Sequence, residues 1–145
     1  MKKKIIAMLC GTAAMSAMLT GCGAANYADG TYEGKSQVYE GDEEGNGDGY
    51  GVVTITIKDN TITACEYKTY QTDGTLKDDD YGKQNGEIAN KDYYAKAQKA
   101  VKACSVYAED LVGKELGDVD AITGATISYN EFKEAAANAL DQAKQ

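Results

Sequence analysis

The residues whose types and spacing could do chemistry are Asp120-Ala121-Ile122-Thr123-Gly124-Ala125-Thr126. A glycine-containing turn that runs into a helix start is an anion site, because backbone N–H groups and the positive end of the helix dipole point at whatever sits there. Gly124 allows a left-handed or close-approach backbone, and Thr126 brings a hydroxyl within reach of a phosphate. Taken alone, the pattern also describes an ordinary turn and cap. Composition narrows the field. The 145 residues include no His and no Pro, and all 15 basic residues are Lys. Without His there is no Ser-His-Asp triad, Cys-His pair or HExxH zinc site. Without Arg there is no bidentate clamp for phosphate, carboxylate or guanine. A net charge of −8 argues against a nucleic-acid partner. Redox or group-transfer chemistry would need a bound cofactor.

The elements that must position this segment can be read from periodicity. Residues 23–28 are expected to be a tether, and Thr31 to Tyr39 a first strand with Gly34 as a bulge. Gly41 to Gly51 holds five Gly in eleven residues and is expected to be a loop. Tyr50 to Lys58 alternates, with Val53, Ile55 and Ile57 on one side, which predicts a half-buried strand. Asp59-Asn60 makes a tight turn and Thr61 to Thr69 the hairpin partner. Ile62 cannot share a face with Cys65 and Tyr67 unless a bulge falls near Thr63-Ala64. Gln71 to Gly86 is a long polar loop, a length that itself hints at function. From Lys91, Tyr94, Ala97, Val101, Cys104, Ala108 and Leu111 recur at helical spacing until Gly113 and Gly117 break the pattern. Ser128 and Glu131 have the spacing of a capping box, opening a last helix with Phe132, Ala136 and Leu140 on one face. The expected fold is α+β, a small single domain of antiparallel strands (hairpin 50–69) packed with two helices (about 91–112 and 129–143).

The N-terminal residues read as an address. Lys2, Lys3 and Lys4 precede an uncharged apolar run from Ile5 to Leu19, too short for a membrane span and ending in small residues as a processed signal does. Leu19-Thr20-Gly21-Cys22 resembles the bacterial lipobox, which implies cleavage before Cys22 and a diacylglycerol on its thiol. The expected division is a signal peptide over 1–21, lipidated Cys22 and tether over 22–28, and one domain over 29–145. The leader takes three lysines and no acids with it, leaving 124 residues of net charge −11. Anionic head groups would repel such a surface, so only the acyl anchor should touch the bilayer, on the extracytoplasmic face. Cys65 and Cys104 have apolar neighbours and no CxxC spacing, and a disulfide and two buried thiols are equally good readings. No metal site is expected. Asp42, Glu44, Asn46 and Gly47 begin like an EF-hand loop, but its twelfth position is Val53 where a bidentate Glu is needed.

The Asp120, Thr123, Gly124, Ala125, Thr126 pattern resembles the signature of the FMN-binding domain of the NqrC and RnfG redox-pump subunits and of Gram-positive extracellular electron-transfer lipoproteins: Asp, two variable residues, Ser/Thr, Gly, Ala, Thr/Ser. Asp29-Gly30-Thr31-Tyr32 is similar to the family's opening strand, Val53 to Asp59 to its hairpin, and Thr72 to Lys77 to the following loop in the lipoprotein branch. The resemblance implies that a separate Mg-dependent flavin transferase uses FAD to attach FMN through its phosphate to the Thr126 hydroxyl. Asp120 would position the motif for the transferase, and Thr123 with the Gly124 and Ala125 amides would hold phosphate oxygens. It also implies Tyr50 as a flavin-ring contact, with Asp73, Gly74 and Lys77 nearby and Lys77 able to stabilise an anionic reduced flavin. Charge agrees independently: a diester carries about one negative charge where a free phosphate carries about two, and a protein of this charge without Arg holds a dianion poorly.

These features predict an electron carrier that relays from a membrane donor, such as a quinone-linked dehydrogenase or a redox pump, to an external acceptor. A self-sufficient reductase would need a second nucleotide motif and an acid-base set, neither of which is present. The alternative from another class is a solute- or partner-binding lipoprotein without flavin, with Thr126 unmodified and a tyrosine-rich binding surface.

Overall fold

The computed structural model describes residues 25–41 and 47–145. The leader, Cys22, and positions Asp42, Glu44 and Asn46 lie outside the described residues.

The alternating strands and the helical stripe assemble as their periods dictate. Strands β1 (Gly30–Lys35), β2 (Tyr50–Lys58) and β3 (Thr61–Tyr70) form an antiparallel sheet in the order β1-β2-β3. Val53, Ile55 and Ile57 of β2 turn to the face covered by helices α1 (Lys91–Leu111) and α2 (Thr126–Ala143), and all three are buried. The result is the expected α+β fold in two layers. Asp59 and Asn60 both have positive φ, 51° and 60°, as a two-residue type I′ hairpin turn requires. The expected bulge is present: Thr56 pairs with Ala64 and Ile57 with Ile62, so Thr63 is the extra residue. That one-residue slip puts Ile62 on the buried face with Tyr67. At the core's centre Phe132 of α2 packs on Tyr67 and Tyr107, with ring centroids 5.2 and 5.5 Å apart.

Four expectations are corrected. The first strand ends at Lys35 rather than Tyr39, and Gly34 is no bulge, since it pairs regularly with Val53. Its lack of a side chain serves helix packing: a Cβ there would lie 2.0 Å from the Ala135 carbonyl oxygen and 2.4 Å from the Ala139 nitrogen. Ala135, Ala136, Ala139 and Ala143 are fully or nearly fully buried, so α2 lies with its own backbone on the strand. Asn138 and Gln142 then donate to the Lys35 and Glu33 carbonyls at 2.7 and 2.6 Å.

Residues 26–28, expected in the tether, are bonded to the domain. Ala28 N–H donates to Ala143 O at 2.8 Å, Gln145 N–H to Asn26 O at 3.0 Å, and Tyr27 N–H to the Asn60 side chain at 2.7 Å. Helix α2 begins at Thr126, three residues before the expected start, so Ser128 is inside the helix and is not its cap. Of the two readings left open for Cys65 and Cys104, the structure has the free thiols. Cys104 lies 3.8 Å from Thr69 Oγ1, four residues along β3 from Cys65, or about 13 Å at strand rise, beyond the reach of a disulfide. Burial raises both thiols, Cys65 to about 12 and Cys104 to about 11.

Gly34→Ala is expected to lower stability by about 1–3 kcal/mol or more, because the helix backbone itself must move. Gly117→Ala, with nothing within 4 Å of the new methyl group, should stay within about 0.5 kcal/mol of wild type. Urea denaturation midpoints measure both, and equal small effects would contradict the α2–β1 packing.

Candidate functional site

The Asp120–Thr126 segment is held by one buried hydroxyl. Tyr107 of α1 is 1 % exposed, and its Oη accepts from Ile122 N–H at 2.9 Å and donates to Ala125 O at 3.2 Å. The segment closes on itself through Ala125 N–H to Ile122 O at 3.0 Å, and Tyr129 N–H to Ala125 O at 3.0 Å starts α2. Tyr129 Oη ties Val119 O, just upstream, at 2.9 Å. Gly124 has φ +83°, where a side chain is strained, and the Lys99 side chain covers it, with Nζ 3.1 Å from where a Cβ would stand. Ala125 makes no side-chain cap. The first turn of α2 thus presents its amides without a competing side chain among the described residues. Thr126 is its first residue and is exposed.

Beside Thr126 opens a cavity of about 650 Å³, within the range of about 300–1,000 Å³ typical of cofactor sites. One side is Gly124 to Ser128. The facing side is α1, through Tyr93, Lys96, Ala97, Ala100 and Val101, with Thr69, Lys77 and Tyr81 completing the wall. Tyr81 is placed by a strap across α1. The buried Gln98 side chain donates to the Asp78 and Tyr81 carbonyls at 3.0 and 2.9 Å, and Tyr94 Oη donates to Asp79 O at 2.9 Å. Burial and the neighbouring Tyr93 hydroxyl raise the Tyr81 phenol, which stays neutral.

Lys77 shares the cavity with Thr126. It is 8 % exposed, donates to Gly47 O at 2.9 Å and lies 5.2 Å from the Tyr81 ring centroid. Burial lowers its ammonium, opposed chiefly by the negative charge of Glu131. Asp120 and Thr123 are exposed on the turn and do not line the cavity. Tyr50, Asp73 and Gly74 lie elsewhere. Tyr50 belongs to the β2 face turned away from the helices, stacked on Tyr70 at 5.4 Å with Lys35 Nζ 3.7 Å from its centroid. A Cβ on Gly74 would lie 3.8 Å from Tyr50 Oη. Asp73 accepts from Thr75 N–H at 2.9 Å, a hydrogen bond that lowers its carboxyl.

Sequence reasoning missed Tyr81, Tyr93, Lys99, Tyr107 and Glu131. The length of the 71–86 loop pointed towards Tyr81, and Tyr107 falls three residues after Cys104 on the same helical stripe. Glu131 was expected to cap a helix. With α2 starting at Thr126 it is instead wholly buried, and its Oε1 has no hydrogen-bond partner among the described residues. Burial raises its carboxyl to about 7, against the lowering influence of Lys77 and of the Tyr67 hydroxyl.

A helix start that welcomes an anion, aromatic and apolar walls, and a buried cation define a site for a phosphorylated aromatic cofactor. The chain belongs to the FMN-binding domain family, whose match covers residues 46–141. It is accordingly a flavoprotein, and FMN is the cofactor that these residues fit. The crystal structure of the CPE2226 protein from Clostridium perfringens is similar, with 24% identity over 81% of this chain and 88% of that one and a TM-score of 0.57, a likeness of fold. Among curated proteins none matches the sequence at significance.

The raised Glu131 carboxyl has a signed consequence for stability. Its folded value, about 7, lies above the ordinary 4.5, so the folded state binds the proton more tightly than the unfolded one. This contribution is full below pH 4.5 and is lost as pH rises through 7. Urea midpoints of the flavin-free protein should therefore fall from pH 4.5 to 7.5. Glu131→Gln should flatten that decline, and parallel profiles would contradict the buried carboxyl.

Proposed function

We propose that Thr126 carries FMN as a phosphoester and that the protein is a lipid-anchored, extracytoplasmic electron carrier. The observation that carries the reading is the exposed Thr126 hydroxyl at the first residue of α2, opening on a cavity with Tyr81, Tyr93 and Lys77 in its walls. An exposed acceptor suits delivery by a separate enzyme. In a Mg-dependent flavin transferase, the Thr126 oxygen would attack the flavin-side phosphorus of FAD, forming the new P–O bond as AMP leaves and the hydroxyl proton passes to the transferase's base. The diester keeps about one negative charge, which the amides of the first turn and the dipole of α2 favour. Covalent attachment also suits an open site, because a ligand held by weak contacts alone is lost to dilution.

Bound FMN supplies one- and two-electron transfer. The chain's own residues would do the rest. Tyr81 and Tyr93 offer ring faces, Ala97, Ala100 and Val101 exclude water, and Lys77 places a positive charge against the cofactor. Gly124 and Ala125 remain as phosphate-side backbone, while Asp120 and Thr123, on the exposed turn, are placed for the transferase to grip. The lipobox-like Leu19 to Cys22 supports anchoring through acyl chains at Cys22, which hold to a bilayer when more than one is present. Electrons would come from a membrane donor, a quinone-linked dehydrogenase or a redox pump, and leave to an external acceptor.

The intact mass of residues 23–145, expressed with and without a flavin transferase and Mg²⁺, tests the attachment. A gain of FMN minus one water is expected only with the transferase, and Thr126→Ala should abolish it. No gain, beside another substrate modified by the same transferase, would leave the solute- or partner-binding lipoprotein as the reading.

A further inference from the structure

Glu131 is the one carboxylate among the described residues with no exposed surface, and nothing in the reading above uses it. An unpaired buried oxygen is costly, so its surroundings bear on what it does. Tyr67 has a single hydroxyl proton, and its shorter contact, 2.6 Å to Ser128 O, takes that proton. Its contact to Glu131 Oε2 is long, 3.4 Å, and gives a carboxylate there little support. Lys77 is close by on the cavity side. A Cβ on Gly49 would lie 2.7 Å from Lys77 Nζ, and one on Gly51 3.1 Å from Glu131 Cβ. Those two positions are two residues apart on one extended segment, about 7 Å at strand rise. Lys77 lines the cavity beside Thr126 and Glu131 does not, while the two side chains are near enough for their charges to act on each other.

The other titratable groups that face Glu131 are Tyr39 before β2, Tyr67 on β3, Tyr81 in the loop and Cys104 on α1, with Glu134 next along α2. The three phenols and the thiol are all raised and neutral. Lys77 is the cation in this group, so the charge on Glu131 answers to Lys77 and to whatever fills the cavity.

We infer that Glu131 is a proton-binding residue for flavin reduction: electrons added to a flavin held at Thr126 draw one proton from solvent onto the buried Glu131 carboxylate, with Lys77 of the cavity wall as the cation that both charges meet. The inference rests on the flavin reading of the preceding subsection. Where Glu131 is ionised beforehand, each two-electron reduction, supplied by a membrane quinol or by dithionite in the test, places two electrons and the flavin's own proton on the flavin and one further proton from solvent on the Glu131 oxygen, and oxidation releases both protons with the electrons. Linkage is reciprocal, so a protonated Glu131 makes the flavin easier to reduce and an ionised one makes it harder.

The test uses the full chain in detergent, wild type and Glu131→Gln, each loaded by a flavin transferase and checked by the mass of the Thr126 peptide. Midpoint potentials are measured by spectroelectrochemical titration from pH 5.5 to 8.5. The two proteins should agree at low pH, where both side chains are neutral. By pH 8.5 the wild type should be harder to reduce by about tenfold in equilibrium constant, about 30 mV for a two-electron couple. Subtracting the variant removes the flavin's own protonation. Loaded proteins whose potentials run parallel across the range would overturn the inference. Should the variant fail to fold or load, the wild type decides alone by infrared difference spectroscopy at pH 8. A new protonated-carboxyl band on reduction supports the inference, and its absence overturns it. No mass gain in loaded wild type overturns the flavin reading itself, and this inference with it.

Discussion

The Tyr107 hydroxyl makes two hydrogen bonds inside the core, one to each end of the turn that precedes α2. Its ring is stacked on Phe132 at 5.5 Å and tilted against Tyr129 at 5.6 Å, so the packing of α1 on α2 and the shape of the turn are one arrangement. The phenol has both a donor and an acceptor and uses each on a backbone group of the segment. Gly124 can then take its positive φ, and the first turn of α2 faces the cavity rather than the sheet. Below this point the close seat of α2 on β1, permitted by Gly34 and the alanines facing it, sets the depth of the helix and therefore the height of Thr126 above the cavity floor.

Electrostatics divides the molecule in a way that bare net charge conceals. The chain has 23 acids against 15 lysines, yet the charged side chains lining the cavity include Lys77 and Lys96 along with Asp92, and Lys99 covers Gly124. A local excess of positive charge within an acidic protein favours an anionic cofactor at this place. Burial moves Lys77, in the cavity wall, and Glu131, in the interior, towards their neutral forms. Two groups poised in this way respond to a new charge in the cavity more readily than solvated ones, because low-dielectric surroundings screen them less.

What could be read from the sequence follows from range. The β2–β3 hairpin was legible because alternation of period two and an Asp-Asn turn are local, and even the Thr63 bulge followed from the parity conflict between Ile62 and Tyr67. The Asp120–Thr126 segment was legible as a glycine turn running into a helix start for the same reason. The start of α2 was misplaced because Ser128 and Glu131 imitate a capping box, whereas the actual cap, Ala125, has no side-chain signal. Gly34 shows the limit most clearly. A glycine in a strand suits a bulge or a close approach, and the backbone that approaches it belongs to Ala135 and Ala139, about a hundred residues along the chain. Tyr107 and Tyr81 depend on partners 15 to 18 residues away. Of the ring contacts implied by resemblance, Lys77 stands in the cavity, while Tyr50, Asp73 and Gly74 gather on the far side of the sheet, a division no local pattern announces.

The most direct measurement is a crystal structure of the protein after loading with FMN. The account predicts density continuous from Thr126 Oγ through a phosphate at the first turn of α2, with the isoalloxazine lying in the cavity between Tyr81, Tyr93 and Lys77. A ring lying across the sheet against Tyr50 and Tyr70, or a phosphate attached at a residue other than Thr126, would contradict it.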